Sequence, residues 1–355
     1  MKTSAQTQNT RAARAPATMA QIAAACGLSR AAVSYVLNRA PKAKGLQPET
    51  VARIEQTARE LGYRPNDAAR AIKTGRTRTL AVFTPPLRFE SNILVVHGVA
   101  LAAVELGYQV KYMPVTADKA AAKALVDVCA ERLIGGAVCL NLPRPLLAEL
   151  DKLAHQTGLV LAQVGDGFSD LGDFVVAADH MTGAKEVIDH LVGLGHRRIA
   201  LLLNDSIYSS SVMRLEGFEA ALNAHGIKIP ASRRKSTHFA PGIVRKETLA
   251  LLRHKQRPTA IVCDTDPVAL SVLHTIQSAG LRVPGDVSVT GYVNLAFCEF
   301  TQPRLTSVEI QSEALGRQAA AELIARLENQ PPPKTSALPP RLIARESSGP
   351  AASTV

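Results

Sequence analysis

Two short apolar runs near the start of the chain follow a helical period and are separated by a glycine. The first, MAQIAAA, follows Thr18, and the second, RAAVSYVLN, follows Ser29; both of these residues are good helix N-caps. Between the runs, Gly27 can take the left-handed conformation that ends a helix. Inside one long helix it would cost about 1 kcal/mol relative to alanine. The pattern therefore predicts two helices joined by a tight turn.

The spacing of Ala23, Gly27 and Val33 suits a helix-turn-helix, although a plain helical hairpin is the alternative. Ala23 lets the helices cross closely, and Val33 packs inward. The other face of the second helix then carries side chains that can contact DNA: Arg30, Ala31, Ser34 and Tyr35. Arginine can bond a guanine edge with two donors, and alanine can touch a thymine methyl group.

A third helix is predicted over residues 48–61, because Pro48 suits a first helical position and apolar residues recur at helical spacing. These residues, which would cover the first two helices, are Val51, Ile54, Ala58 and Leu61. After Gly62, the stretch DAARAIK predicts one or two further helical turns. So short a helix is marginal in water, and we expect it to form only against DNA or a second copy of the chain.

From residue 79 onward, β-rich runs alternate with helical runs in two successive series. The first series has the strands TLAVFTP, QVKYMPV, IGGAVCLNL and LVLAQVG, and the second has RIALLL, AIVC and VSVTGY. Such alternation predicts parallel sheets with helices on both faces. Two series predict two lobes, with a ligand site where the strand ends converge.

The positive charge is concentrated at the start of the chain. Residues 1–78 contain 14 Lys and Arg against 4 Asp and Glu, whereas residues 79–355 contain 27 against 26. The net charges of +10 and +1 add to the formal +11 of the whole chain. The first fifth is therefore predicted to bind a polyanion, with a solvated basic tail as the alternative.

The cysteine spacing and the apolar runs exclude several classes of protein. The five cysteines are scattered without a CxxC pair, which argues against a zinc site or disulfide framework, and no metal or cofactor is expected. No apolar run reaches the roughly 18–20 residues of a membrane helix, and the basic start lacks the apolar core of a signal peptide. A cytoplasmic, nucleoid-associated protein without membrane contact is expected.

Three classes of protein are alternatives to a DNA-binding regulator: an enzyme, a periplasmic solute binder and a DNA-compacting protein. GxSxG, P-loop, GxGxxG and HExxH motifs are absent, so no catalytic residue is predicted. A periplasmic binder would need a signal peptide. A DNA-compacting protein would spread its positive charge along the chain.

Longer stretches resemble one family. TMAQIAAACGLSRAAVSYVLN and VARIEQTARELGYRPNDAARAIKTGRTRTLAV are similar to the head and hinge of the LacI–GalR family of bacterial transcription regulators. LVGLGHRRIALL, MRLEGFEAAL, PVALSVLHTIQSAGLRVPGDVSVTGY, QPRLTSVEI and LPPRLIARES resemble its effector domain, in the family's order. The resemblance covers about residues 18–346.

The resemblance implies an all-α helix-turn-helix head and hinge helix joined to a two-lobed α/β periplasmic-binding-protein-like effector domain. In that domain the chain crosses between the lobes three times. The implied function is that of a homodimeric, sequence-specific regulator of the repressor type on a near-palindromic operator. A small-molecule effector between the lobes, expected among sugars, sugar derivatives and organic acids, would control operator affinity allosterically.

The same resemblance assigns the DNA contacts. Phosphates would be held by Thr18, Ser29 and Asn38. Bases in the major groove would be contacted by Arg30, Ala31 and Tyr35, the last standing where many relatives have arginine. Ile72, with Ala69 beside it, would be the apolar wedge in the minor groove. The loop RAPKAKGLQP is about three residues longer than usual; its Lys42 and Lys44 would either contact the backbone of the DNA or face solvent.

For the effector, the resemblance assigns Arg214 to the ligand's oxygens, with Ser210 one turn earlier. Thr265 is a further candidate contact, beside Asp266, which is expected to cap the following helix. Gln163 and Val293 stand where many relatives have carboxylates. Loss of two acids disfavours a simple neutral sugar and suits an anionic or less polar effector.

The predicted domain limits follow from these assignments. Residues 1–17 are a disordered basic tail, 18–64 the helix-turn-helix domain, and 65–78 the hinge helix and linker. Residues 79–346 form the two-lobed effector-binding and dimerisation domain. No leucine heptads follow LIARES, so a tetramerising coiled coil is not expected, and residues 347–355 are expected to be a loose tail.

Overall fold

The fold was analysed in a computed structural model, which describes residues 17–37, 43, 45–63, 77–87, 90–115, 125, 127, 134–165, 170–204, 209–238, 240–331 and 338–352. The chain divides into two compact units, residues 1–76 and 77–355. Several residues assigned from the sequence lie outside the described ones: Asn38, Lys42, Lys44, Ala69 and Ile72. The same holds for most of the predicted hinge.

The first unit contains three helices around a small apolar core. They are α1 (Met19–Cys26), α2 (Arg30–Leu37) and α3 (Pro48–Glu60). Ile22, Val33 and Ile54 are fully buried where the three helices meet. The expectation that Leu61 covers the core is wrong: it is 43% exposed. Leu61 is the C-cap that follows α3, and the chain turns away there.

The second unit contains two lobes. Its helices are α4 (Glu90–Glu105), α5 (Arg144–Thr157), α6 (His180–Gly193), α7 (Ser209–Ala224), α8 (Pro241–Arg253), α9 (Asp266–Ser278) and α10 (Ser312–Leu327). Its strands are β1 (Thr79–Thr84), β2 (Gln109–Pro114), β3 (Gly136–Leu140), β4 (Val160–Val164), β5 (Phe174–Val176), β6 (Ile199–Leu203), β7 (Arg234–Ser236), β8 (Ala260–Cys263), β9 (Ser288–Thr290), β10 (Ser307–Glu309) and β11 (Arg341–Ile343).

Lobe 1 is built on the parallel sheet β2-β1-β3-β4-β5. Alternate residues of each strand face opposite layers of helices. Leu80 and Val82 pack with α4 and α10, whereas Ala81 and Phe83 pack with α5 on the other face. Burial on both faces explains why β1, β3 and β4 appear in the sequence as nearly continuous apolar runs.

The α4–α10 pair crosses at two glycines. A Cβ built on Gly98 would lie 2.0 Å from the carbonyl oxygen of Glu313, and one on Gly316 would lie 2.0 Å from that of Val95. Only glycine permits two helix backbones to approach so closely. This contact fixes how α10 joins lobe 1.

Lobe 2 is built on the parallel sheet β7-β6-β8-β9, again between two layers of helices. Leu201 and Leu203 of β6 pack with α6 and α7, while Ala200 and Leu202 pack with α8 and α9. The antiparallel pair β10–β11 lies against α6. The predicted parallel sheets with helices on both faces are confirmed.

The chain passes between the two lobes more than once, which hydrophobic periodicity does not predict. After lobe 2 the chain returns to lobe 1 for α10 and then to lobe 2 for β11. Ile310, just before α10, contacts the cores of both lobes. With the first passage after β5, this makes the three crossings that the resemblance implies.

The expectation of a loose tail from residue 347 is wrong for the described residues 347–352. The Ser347 hydroxyl is fully buried, donates to the carbonyl of Val289 at 2.6 Å and accepts the N–H of Thr306 at 2.8 Å. The backbone N–H of Ala351 donates to the carbonyl of Leu194 at 2.9 Å. This segment is ordered because it satisfies backbone groups of β9 and the end of α6 that would otherwise be unpaired.

Candidate DNA-binding helices and effector cleft

The first two helices meet at the predicted glycine corner. Gly27 has φ 62° and ψ 34°, and the axes of α1 and α2 differ by 113°. Both predicted N-caps are confirmed: the hydroxyl of Thr18 accepts the N–H of Gln21 at 3.3 Å, and that of Ser29 accepts the N–H of Ala32 at 3.1 Å. Two helices at about 90–120° with a short glycine turn define the helix-turn-helix motif.

The second helix has one buried and one accessible face. Val33 and Val36 are buried in the core, with Leu37 packed partly against it. The residues proposed to contact DNA are accessible: Thr18, Ser29, Arg30 and Ala31 are exposed, and Ser34 and Tyr35 are half-buried. The structure thus brings these six residues of the sequence assignment to the region around the α2 surface.

In lobe 2, polar side chains meet where the parallel strands end. α6 runs antiparallel to the strand that follows it, so its first residue lies at the same edge as the start of α7 and the end of β9. Arg214 of α7 is only 6% exposed, and its guanidinium carbon lies 5.2 Å from the centre of the Tyr292 ring. One terminal nitrogen donates to the hydroxyl of Ser211 at 3.2 Å.

His180 completes this group. Its Nδ1 lies 3.3 Å from the hydroxyl oxygen of Tyr292. Burial, together with the nearby charge of Arg214, lowers the pKa of His180 to about 3, so the imidazole is neutral at pH 7. Burial also raises the pKa of Tyr292, so the phenol keeps its proton. Arg214 is therefore the charged member of the group at neutral pH.

The other proposed effector residues occupy different surroundings. Ser210 lies in the first turn of α7, half-buried. Thr265 precedes α9 but its hydroxyl makes no capping bond. Gln163 belongs to lobe 1, is 1% exposed, and donates through Nε2 to the carbonyl of Leu171. The structure places Arg214 against Tyr292, the residue that precedes Val293 in the chain. Gln163, by contrast, is hydrogen-bonded to a residue of lobe 1.

Two details differ from the sequence interpretation. Asp266 does not cap α9; it is the first residue of that helix, and its carboxylate accepts the N–H of Leu295 at 2.8 Å and the hydroxyl of Ser307 at 2.5 Å. Val293 has φ 102°, a conformation that is unusual for a β-branched residue and marks a strained position.

Further polar residues at the strand ends were not identified from the sequence. In the part of the chain that the structure describes, three of them have a buried oxygen without a hydrogen-bond partner: Thr84 Oγ1, Ser236 Oγ and Thr290 Oγ1. The same holds for Thr265 Oγ1 and Arg214 Nε, which the sequence had assigned. Buried polar atoms are normally paired, so such a cluster is a mark of a ligand site. The first three residues could have been found in the sequence, because each is a polar residue that ends or directly follows a strand.

One hydrogen bond joins the lobes at this edge. The carboxylate of Glu90, the first residue of α4 in lobe 1, accepts the backbone N–H of Ala296 in lobe 2 at 3.0 Å. This bond therefore connects lobe 1 to lobe 2.

The described residues show neither a metal-binding cluster nor a single membrane-spanning helix. They contain no group of three or more His, Cys, Asp or Glu side chains that could hold a metal ion. Among them no single helix is long and apolar enough to cross a membrane; only α1 and α2, taken together across their bend, reach that length.

A helix-turn-helix unit in one chain with a two-lobed α/β unit that has polar residues at its strand ends defines the class of ligand-responsive transcription regulators. Comparison with known proteins identifies the family. Residues 18–66 match the model of the bacterial regulatory proteins of the lacI family, and residues 188–348 match the periplasmic binding protein-like domain. The chain belongs to the LacI family of transcription regulators.

Relatives match along nearly the whole length. The HTH-type transcriptional repressor CytR of Escherichia coli (strain K12) is 27% identical over 314 residues, which cover 88% of this chain and 91% of CytR. The repressor PurR of Escherichia coli O1:K1 is 27% identical over 334 residues, covering 93% and 96%.

Solved structures share the fold. A complex of the transcriptional regulator CelR with cellobiose is 26% identical, with a TM-score of 0.68 over 93% of this chain and 99% of that one. The Lac repressor dimer bound to its operator and the anti-inducer ONPF is 24% identical, with a TM-score of 0.79 over 94% and 100%.

Proposed function

We propose that this regulator is a repressor that binds a near-palindromic operator as a homodimer. The observation that carries the proposal is the 113° helix-turn-helix with an accessible α2 face, in the most basic part of the chain. A two-fold dimer presents two such helices to two half-sites, so the operator should share the two-fold symmetry. The proposed site of action is the nucleoid in the cytoplasm.

The proposed contacts follow the geometry of the motif. Arg30, Ala31, Ser34 and Tyr35 approach base edges, while Thr18, Ser29 and Asn38 hold phosphates. We further propose that Ile72, with Ala69 beside it, enters the minor groove at the centre of the operator. The proposed domain limits are 18–64 for the head, 65–78 for the hinge and 79–346 for the body.

In the same proposal, a small molecule bound between the lobes controls operator affinity. Arg214, Ser210, Thr265, Gln163 and Val293 are its proposed contacts. The unpaired polar atoms at the strand ends support a polar ligand there. A sugar, sugar derivative or organic acid fits this description, and its binding would change the angle between the lobes and hence the spacing of the hinges. We propose no catalytic activity for this site.

Selection of bound fragments from a random DNA pool tests the proposal. We expect the full chain to enrich one near-palindromic sequence, with an affinity that falls steeply as salt increases. Arg30→Ala should relax specificity at one position of each half-site and cost about 1–3 kcal/mol. Arg59→Ala, which removes the same charge from an exposed position of α3, is the matched control and should keep the selected sequence. Enrichment of no sequence would contradict the proposal.

A further inference from the structure

Arg214 carries a buried charge for which the described part of the chain supplies no counter-ion. Its side chain donates one hydrogen bond, to Ser211, although a guanidinium has five N–H donors. Its Nε atom is buried without a partner. No carboxylate among the described residues lies within ion-pair distance of it. Burying a charge is costly unless the charge is paired and hydrogen-bonded.

Four acidic groups at this end of lobe 2 take part in other interactions, among them Asp264, which accepts the N–H of Asn204 at 2.8 Å. Asp179 caps α6 by accepting the N–H of Thr182 at 3.0 Å, and Glu186 accepts the N–H of Leu342 at 2.6 Å. Asp266 accepts the bonds from Leu295 and Ser307 given above. Neutral His180 adds no second positive charge, so the local charge excess is that of one guanidinium.

Arg345, another buried arginine of the same lobe, differs from Arg214, whereas Arg233 shares with Arg214 a buried Nε that has no partner among the described residues. The Arg345 side chain is only 6% exposed, as buried as Arg214, yet it pairs with Glu299 and also donates to the carbonyl of Leu305 and the side-chain oxygen of Asn294 at 2.9 Å. Its charge and donors are therefore satisfied within the protein. Among the described residues, Arg214 has one hydrogen-bond acceptor, Ser211, and its Nε is buried without a partner at the edge where a ligand would enter.

The groups around Arg214 favour a negative ligand. Ser210 and Ser211 lie in the first turn of α7, a sixteen-residue helix whose N-terminal end carries partial positive charge. The residue that follows Tyr292 is Val293, which cannot accept a hydrogen bond through its side chain. The surroundings thus supply positive charge and donors without a charged acceptor at that position.

We propose that the effector carries an oxyanion, a carboxylate or a phosphate group, which is bound by Arg214 at the start of α7. The inference rests on the proposed function and specifies the chemistry of its ligand. A guanidinium presents two parallel N–H donors that match the two oxygens of such a group. The oxyanion supplies the counter-charge that the described residues lack.

The test compares a neutral sugar with related anionic compounds, at constant ionic strength. The full chain is titrated with glucose, gluconate and glucose 6-phosphate, and with inorganic phosphate and sulfate as minimal oxyanions. We expect at least one oxyanion to raise the thermal midpoint and to bind about tenfold or more tightly than glucose. Gluconate against glucose 6-phosphate separates a carboxylate from a phosphate source.

Three variants assign the effect to the site. Arg214→Gln should abolish the stabilisation by oxyanions, and Arg214→Lys should restore part of it because the charge returns. Arg233→Gln is the matched control: this arginine is also buried in lobe 2, but it donates to the side chain and carbonyl of Gln256 and precedes β7 at the opposite edge. Circular dichroism verifies that each variant is folded.

Two outcomes would overturn the inference. One is that no oxyanion stabilises the wild-type chain more than it stabilises Arg214→Gln. The other is that glucose binds as tightly as its two anionic derivatives. Operator binding is measured on the same samples, so that loss of the oxyanion effect with intact operator binding rejects only the ligand class. Absence of operator binding in the wild-type chain would reject the proposed function itself.

Discussion

Replacing Gly98 by alanine tests the close crossing of α4 and α10, because a methyl group has no space there. The new Cβ would lie 2.0 Å from the carbonyl oxygen of Glu313 and 2.9 Å from its carbonyl carbon. A comfortable carbon–oxygen contact is about 3.3 Å, so the backbones must separate by roughly 1.3 Å. Both partners are backbone, and no side-chain rotation relieves the clash.

The expected cost follows from two opposing contributions. Overpacking costs typically 1–3 kcal/mol, and a clash with backbone belongs at about 3 kcal/mol. The gain in helix propensity from glycine to alanine offsets about 1 kcal/mol. We therefore expect Gly98→Ala to lower the free energy of unfolding by about 2 kcal/mol, which reduces the thermal midpoint by several degrees, on the order of 4–8 °C.

Circular dichroism during heating and urea titration measures this change. The control is Gly242→Ala in α8, where a Cβ meets nothing within 4 Å. That variant should be neutral or more stable by up to about 1 kcal/mol. If Gly98→Ala is as stable as wild type while the control behaves as expected, the reasoning about the helix crossing is refuted.

Three further predictions concern the two sites. Gly27→Ala places a side chain at φ 62° and should cost about 1–2 kcal/mol of head stability. It should also weaken operator binding, measured by fluorescence anisotropy. The control is Gly45→Ala, where φ is not positive, and it should have neither effect. The pKa of His180 is lowered to about 3, so between pH 6.5 and 3 the unfolded state binds more protons than the folded state. The free energy of unfolding should therefore fall as the pH drops through this range. In His180→Asn this fall should be smaller. Equal pH slopes of the thermal midpoint would contradict this. Glu90→Ala should speed hydrogen exchange at the Ala296 amide by about fivefold, while Glu90→Gln, whose amide oxygen still accepts the bond, should change it little; equal rates in both would contradict the inter-lobe bond.

Local signals in the sequence were sufficient for the head and for most of the body. Thr18, Ser29 and Gly27 act within a few residues of themselves, so their roles in the caps and the turn could be predicted. The strands β1, β3, β4, β6 and β8 are buried on both faces and appear as continuous apolar runs. Leu61 was misassigned because helical spacing does not reveal where the chain leaves the core.

Elements whose environment is supplied by distant segments were missed. α10 is rich in alanine, with Gly316 at its closest contact, and only its return to lobe 1 explains its burial. The ordered segment after residue 346 was likewise unpredictable, since its partners Val289, Thr306 and Leu194 lie far away in the sequence. Asp266 was assigned as a cap because the long-range partner Ser307 is invisible to local rules.

The candidate effector site shows what a sequence difference means once the backbone is known. The sequence reports only that Val293 stands where relatives often have an acid. The structure shows that its backbone has φ 102°, a conformation that Gly, Asn and Asp adopt more readily than valine. The chain therefore keeps a strained turn after Tyr292 without the carboxylate suited to it, and the ring of that tyrosine lies against Arg214. Val293 supplies no charge beside Arg214, so in the proposed site the counter-charge comes from the ligand.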